Sequence, residues 1–505
     1  MENKSIWTKY SDEELEELEK VNSGYIDFLS ECKTERECTE KIVSDIETAG
    51  YKDLNKVISE GGVLRPGDKV YRVNMKKSVI MFNIGDDPLC NGMNILGAHI
   101  DSPRLDVKQN PLYEDSDLAY LDTHYYGGIK KYLYVTIPLA LHGVFVKKDG
   151  TSVKVAVGED PSDPVFFVSD ILIHLADDQM RKNAKHIVEG EALDLCIGNR
   201  PLKIGEADDA ESDSKGKAEA KDLVKKFALK LLKDKYGVDE EDFLSAELEV
   251  VPAGRAREAG FDRSMILSYG QDDRVCAYTS YQAMLAAEHV KRTACCILVD
   301  KEEIGSVGAT GMQSRFFEDT VAEVIALYRR GKMLAAKDGN IQFVASDQVN
   351  ADHSCTSGGN ESLILRRCLA NSNMLSSDVN AGFDPLYPSS FEKKNTSFLG
   401  RGPVFSKFTG SGGKYESNDA NAEYIAFLRN IFDKENISYQ FAELGKVDVG
   451  GGGTIAYILA LYGMNVIDAG VAVLSMHSPW EATSKADVYE ACRGYKAFLK
   501  NADRL

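Results

Sequence analysis

ACCILVDKEEIG, residues 294–305, is an apolar run of strand length that stops on a cluster of charge. The same form recurs in three other places. NILGA runs into His99-Ile100-Asp101-Ser102-Pro103, NMLSS runs into Asp378, and VAVLS runs into Met476-His477-Ser478. Between such runs lie segments with helical spacing, among them YTSYQAMLAAEHV after Asp272-Asp273, VAEVIALYRR at 321–330 and IAYILALYG at 455–463. Strands alternating with helices predict an α/β core, a mostly parallel central sheet flanked by helices. In such sheets ligands bind beyond the carboxyl ends of the strands, where these polar residues stand.

Further strands are expected at VIMFNI (79–84) and MNILGA (93–98), and a helix is expected to start at Ser11, which forms a capping box with Glu14. From about 105 to 255 the pattern changes. YLYVTIPLALHGVFV, KVAVG and LSAELEVVPAG read as strands, VFFVSDILIHLADD as a strand leading into a helix, and GEADDAESDSKGKAEAKD at 205–222 as a solvated loop. The expected organisation is a discontinuous domain of residues 1–104 and 256–505, split by an inserted β-rich domain at 105–255.

With 43% hydrophobic and 28% charged residues, the chain has the composition of a globular protein. A net charge of −19 opposes non-specific binding to nucleic acid or anionic membranes. No apolar run is long enough for a transmembrane helix, and MENKSIWTKYSDEELEELEK has no signal core, so a cytoplasmic protein is expected. The ten cysteines include no C-x-x-C pair and read mostly as small core residues.

Each strand-end residue has a plain structural reading: a lone His is more often structural than a ligand, and an Asp after a strand is usually a cap or turn. Their coincidence favours chemistry. His99, Glu302-Glu303, Asp378, His477 and the Asp272-Asp273 pair mix imidazole with carboxylate, which suits zinc and also admits manganese or cobalt. Five segments are more than one ion needs and fit two ions roughly 3.5–4 Å apart. In His99-x-Asp101 the carboxylate can hold the imidazole and fix its tautomer. Adjacent glutamates on extended backbone point to different sides, so one can bind metal while the other faces the activated water. Gly450 to Gly453, before Thr454, reads equally as an anion site and as a tight turn. Lys414, in FTGSGGKYESND, reads first as a solvated surface lysine and second as a contact to substrate.

AHIDSPRLD, DDR before a helix, VDKEEIGSVGATG, SSDVNAGFDP, GGGGTIA and MHSPWEATSKADV together resemble the aspartyl aminopeptidase family, zinc metallopeptidase family eighteen, in order along nearly the whole chain. The resemblance implies a zinc-exopeptidase-like core with two zinc ions per subunit and an inserted dimerisation domain. It also implies peptide substrates and homo-oligomers, dimers assembling to a dodecamer. Residue by residue, it implies His99, Asp272, Glu303, Asp378 and His477 as metal ligands, with Asp272 bridging, Glu302 as general base and Asp101 as partner of His99. Gly452 and Thr454, in the Gly-rich run, are expected with Lys414 and His174 as substrate-binding candidates. Ile173-His174-Leu175 resembles a motif whose His reaches a neighbouring subunit's site. Two departures place the chain on a divergent bacterial-type branch. Lys130, Lys131 and Tyr132 stand where the family often has Trp and an Asp-Arg pair, and Val379-Asn380-Ala381-Gly382 replaces a His-rich stretch. The expected activity is removal of N-terminal residues. The alternative is a related two-metal carboxypeptidase or deacylase, for which Arg104 offers a carboxylate anchor.

Overall fold

The computed structural model describes residues 5–203, 221–337, 361–415 and 417–503. Residues 205–220 of the loop predicted at 205–222, together with Cys355, lie outside them. Two compact units emerge: Met1–Asp101, Ala256–Met476 and Glu481–Leu505 form the first, Ser102–Arg255 and His477–Trp480 the second.

The first unit is built on a nine-stranded sheet. From edge to edge its strands are Lys52–Asp53, Lys69–Asn74, Ser78–Asn83, Ala294–Val299, Asn94–His99, Asn373–Ser376, Asn465–Gly470, Val404–Ser406 and Gln440–Phe441. The four middle strands, 294–299, 94–99, 373–376 and 465–470, are mutually parallel. Antiparallel pairs join them to 78–83 on one side and to 404–406 on the other, so the sheet is mixed around a parallel centre.

These strands are near-continuous apolar runs because both faces are covered. Successive side chains alternate between two cores. Val79, Met81, Leu96, Ala98, Cys296, Leu298, Leu375 and Ile467 pack with residues of the helices Asp12–Glu31, Gln271–Ala286 and Lys485–Asn501. Ile80, Phe82, Ile95, Cys295, Ile297, Val299, Met374 and Val466 pack with residues of Phe316–Lys337 and Glu361–Ala370. Each large apolar side chain so buried contributes about 1.5–3 kcal/mol. The Ser11–Glu14 capping box is present and opens the first helix.

Two departures from the sequence pattern stand out in this unit. IAYILALYG folds into a helix of only five residues, Ala456–Ala460. NVIDAGVAVLS breaks after Gly470 into two strands in different sheets. Its second half, Ala472–Leu474, belongs to a five-stranded sheet with Arg257–Ala259, Met265–Ser268, Glu481–Ser484 and Asn380–Ala381 that the sequence pattern did not announce.

The second unit carries a six-stranded, wholly antiparallel sheet, in the order Ser152–Val157, Leu139–Val146, Ala246–Pro252, Arg104–Asp115, Leu118–Tyr126, Leu195–Gly198. One face is apolar, with Leu105, Val107, Leu121, Leu141, Phe145, Leu248 and Val250 in one core. The other face bears Lys108, paired with Asp122 and Glu191 at 2.7 Å each. VFFVSDILIHLADD does not form a strand and a helix. Phe166 and Phe167 make isolated bridges, and only the single turns Ile173–Leu175 and Asp177–Met180 follow. Among the described residues, eight cysteines are free thiols, all of them buried except the half-buried Cys492.

Candidate active site

In the first unit, register brings the strand-end residues together. Val299 pairs with His99, and Ser376 pairs with Gly97, so His99, the 300–303 segment and Asp378 all emerge at the same end of adjacent parallel strands. The next strand ends at Gly470, where a Cβ would stand 1.8 Å from the carbonyl oxygen of Asp378. Glycine there lets the backbone that carries Asp378 come close.

Asp272 and Asp273 reach the site differently. They open the helix Gln271–Ala286 with non-helical φ/ψ, and the peptide bond between them is cis. Glu481 holds this start. Its carboxylate accepts the Asp272 amide at 3.0 Å, and its carbonyl accepts Gln271 Nε2 at 2.6 Å.

His99, 2% exposed, is the hub. Its Nδ1 lies 3.0 Å from the Asp101 carbonyl and 3.3 Å from Asp101 Oδ1. Its Nε2 lies 3.2 Å from Asp272 Oδ1 and 3.8 Å from Glu302 Oε2. Asp101 is fully buried and also accepts two backbone amides at 3.2 Å each, Glu302 N on Oδ1 and Glu303 N on Oδ2. One carboxylate thus orients the imidazole and the turn bearing both glutamates.

Among the described residues, three sets of side chains have ligand atoms within 4.8 Å of one another: His99, Glu302 and Asp378; His99, Asp272 and Glu303; Asp272, Asp273 and Asp378. Four of the five expected ligands are therefore brought together, with Glu302 beside them. The crowding is electrostatically unfavourable as it stands. Burial, then the charges of Asp273 and Glu302, pushes the Asp378 carboxyl well above the usual carboxylate range. Burial, then Asp272, does the same to Asp273. Desolvation works against a charged His99, yet its bonds to Asp101 and Asp272 carry the imidazole well above its ordinary value. Carboxylates packed this closely at low exposure fit divalent cations, whose charge reverses each of these shifts.

The sequence matches the family model for aminopeptidase I zinc metalloproteases (M18) over residues 28–362 and 353–499. The chain belongs to the M18 family. Probable M18 family aminopeptidase 1 of Clostridium acetobutylicum is 55% identical over 500 residues, covering 99% of this chain and 98% of that one. The crystal structure of aminopeptidase I from Clostridium acetobutylicum superposes with a TM-score of 0.84 at 53% identity, covering 99% of this chain and all (100%) of that one. An M18 aminopeptidase structure from Thermotoga maritima gives 0.86 at 40% identity, covering 99% and 100%. M18 membership makes this a metal-dependent aminopeptidase, with zinc the metal of its family.

The remaining M18-type candidates lie as follows. His477 falls in the second unit, is not among the clustered sets, and has Nδ1 2.9 Å from the Gly128 carbonyl. His174 is exposed in the turn Ile173–Leu175. Lys414 is a surface residue, 3.2 Å from Asp419 Oδ2 and 3.8 Å from the Phe408 ring centre. Gly450 N donates to Lys446 O within the turn, Gly452 N donates to Thr409 O on a segment distant in sequence, and Thr454 Oγ1 accepts the Ala456 amide. Asp273 stands in the sequence as half of the acidic pair, where only Asp272 is expected as a ligand, and the structure brings it into the cluster as well. Glu481 carried no signal, since its role depends on a strand pairing that places Ser268 opposite it.

Proposed function

We propose that the chain is a two-metal aminopeptidase in which Asp272 would be one of the residues holding the ions and Glu302 is the general base. The observation that carries this is His99 Nε2 facing both Asp272 and Glu302 while its Nδ1 is held by Asp101. His99, Asp272, Glu303 and Asp378 would hold the ions. His477 completes the set on the sequence resemblance. When bound, the ions supply Lewis-acid charge and bring a water's pKa toward about 7. Glu302 takes the proton of the attacking water on its carboxylate, and the peptide carbon–nitrogen bond breaks after the water oxygen adds to the carbonyl carbon. Glu302 then returns that proton to the leaving amine nitrogen. Asp101 keeps the His99 tautomer that presents Nε2 outward.

An acidic site of this kind suits a free α-amine. The carboxypeptidase or deacylase alternative needs a cationic anchor, and Arg104 is engaged elsewhere. Its Nε is 2.7 Å from Asp106 Oδ1 and 3.1 Å from Glu249 Oε2, with its guanidinium 4.0 Å above the Tyr126 ring. Comparing an aminoacyl-4-nitroanilide with its N-acetylated form tests the choice: the free amine is cleaved and the blocked form is not. Preferred cleavage of the blocked form would overturn it. On the same resemblance, the protein is a homo-oligomer in which His174 serves a neighbouring subunit. A sedimentation mass of a single chain would sink that part.

A further inference from the structure

The segment that follows strand Ala294–Val299 is a closed loop with unusual backbone. Lys301 at φ 71° and Ser306 at φ 59° are both left-handed without being glycine, and they bracket the single turn Glu302–Ile304. Residues held this way persist only where their surroundings over-determine them. Asp101 holds the turn from one side through the Glu302 and Glu303 amides. The other end of the loop has its own tie. Asp300 N donates to Thr310 O at 3.3 Å, and Thr310 Oγ1 donates to Asp300 Oδ2 at 2.6 Å, both residues being buried. Thr310 O is fixed in turn by Ser78 Oγ at 2.7 Å, from a strand of the central sheet. Inside the loop, Ser306 N donates to Lys301 O at 2.6 Å and Gly305 N to Glu302 O at 2.8 Å.

We propose that Asp300 and Thr310 are positioning residues, a buried hydroxyl–carboxylate clasp that closes the 300–310 loop on the sheet and so sets where Glu302 and Glu303 project. The inference rests on the reading of those two glutamates given above. The clasp joins the residue just past one strand to a point ten positions on, so everything between is a short arch with two fixed feet. Lys301 Nζ also reaches Asp300 Oδ2, at 2.8 Å, but it is 26% exposed and is the weaker tie. The hydroxyl bond to a buried carboxylate is charge-assisted and short. Neither residue belongs to the clustered sets of ligand atoms, and their hydrogen bond acts on Glu302 and Glu303 through the backbone of the loop.

The test compares Thr310→Val with Thr310→Ser in the zinc-loaded full chain. In Thr310→Val, backbone amides of the 302–306 segment exchange hydrogen about tenfold faster, the loss of one charge-assisted bond, while those of helix Lys485–Asn501 keep the parent rate. On an aminoacyl-4-nitroanilide, kcat falls by about tenfold or more with KM within about twofold, because binding is retained and alignment is lost. Thr310→Ser restores both. Exchange and kcat both within about twofold of the parent overturn the proposal, and so does faster exchange with unchanged kcat. If Thr310→Val does not fold, Asp300→Asn takes its place; loss of fold in both also overturns the proposal, since a clasp confined to one loop leaves the sheet standing. A parent chain that cleaves no free-amine substrate defeats the peptidase reading instead, and loop exchange then decides the clasp alone.

Discussion

The nine-stranded sheet and the six-stranded sheet use the same apolar residue types, yet they treat their strand ends differently. In the first, His99, Glu302, Glu303 and Asp378 end or closely follow parallel strands, and their carboxylates and imidazole converge in a largely buried cluster. In the second, antiparallel neighbours such as Arg104–Asp115 and Leu118–Tyr126 return through short turns, and the polar side chains spread over one face as half-buried pairs such as Lys108 with Asp122. Parallel pairing puts all the carboxyl ends on one side, so polar residues from distant segments meet. Antiparallel pairing alternates the ends and disperses them. A sheet covered on both faces also excludes water, which makes the same charges costly and therefore useful.

Stripping metal with a chelator is the harshest way to break this contrast. Turnover should fall to the uncatalysed rate and return with zinc. Hydrogen exchange should rise around His99, Glu303 and Asp378 and stay at the parent level in strands 139–146 and 246–252. A uniform rise across both sheets would deny the first its special role.

Glu302→Gln comes next. Turnover should drop by about 10²–10⁴, the span of a lost general base, with metal content unchanged. The matched change in the other unit, Glu191→Gln at an exposed ion pair, should leave kcat within about twofold. Equal losses in the two variants would remove the distinction.

Gly470→Ala asks whether close backbone approach places Asp378. The added Cβ would have to find room 1.8 Å from the Asp378 carbonyl oxygen, so zinc affinity should fall even though no ligand is altered. Zinc titration by calorimetry reads this directly; parent-like affinity would mean the strand shifts freely. On the proposed ligand set, His477→Ala should lower the metal bound per chain. Unchanged stoichiometry by elemental analysis would strike it from the ligand set.

The smallest effect concerns a buried carboxyl away from the metal ligands. Burial pushes Asp468 from 3.8 up to about 7, with Thr454 and Ser376 hydroxyls pulling the other way. The folded chain then keeps a proton that the unfolded chain releases. Stability from this group is complete below 3.8 and is lost as pH rises toward about 7. Asp468→Asn should flatten the fall of melting midpoint over that window by roughly 1–3 °C. An identical slope in parent and variant would assign the pH dependence to other groups.

Much of the site was legible because its residues interrupt a simple pattern. An apolar run that ends on His99, on Glu302-Glu303 or on Asp378 is readable without coordinates. Asp273 is visible as half of an acidic pair, but its place in the cluster comes from backbone that departs from helix at that point. Glu481 was hidden because nothing local marks a strand residue whose carboxylate caps a helix 209 positions away. The 165–180 region was misread because its apolar residues imitate an amphipathic element, while Ile173, Leu175 and Met180 are in fact exposed.

The sequence alone determined the alternation of strands and helices, the α/β class of the larger unit, and the identity of the polar residues at its strand ends. These follow from periodicity, which is a property of neighbours along the chain. Register, by contrast, decided that His99 faces Asp272 and Glu302, that Asp101 serves two backbone amides at once, and that NVIDAGVAVLS divides between two sheets. Which strand pairs with which depends on how both faces bury their side chains against helices far away in sequence, and no local pattern contains that information.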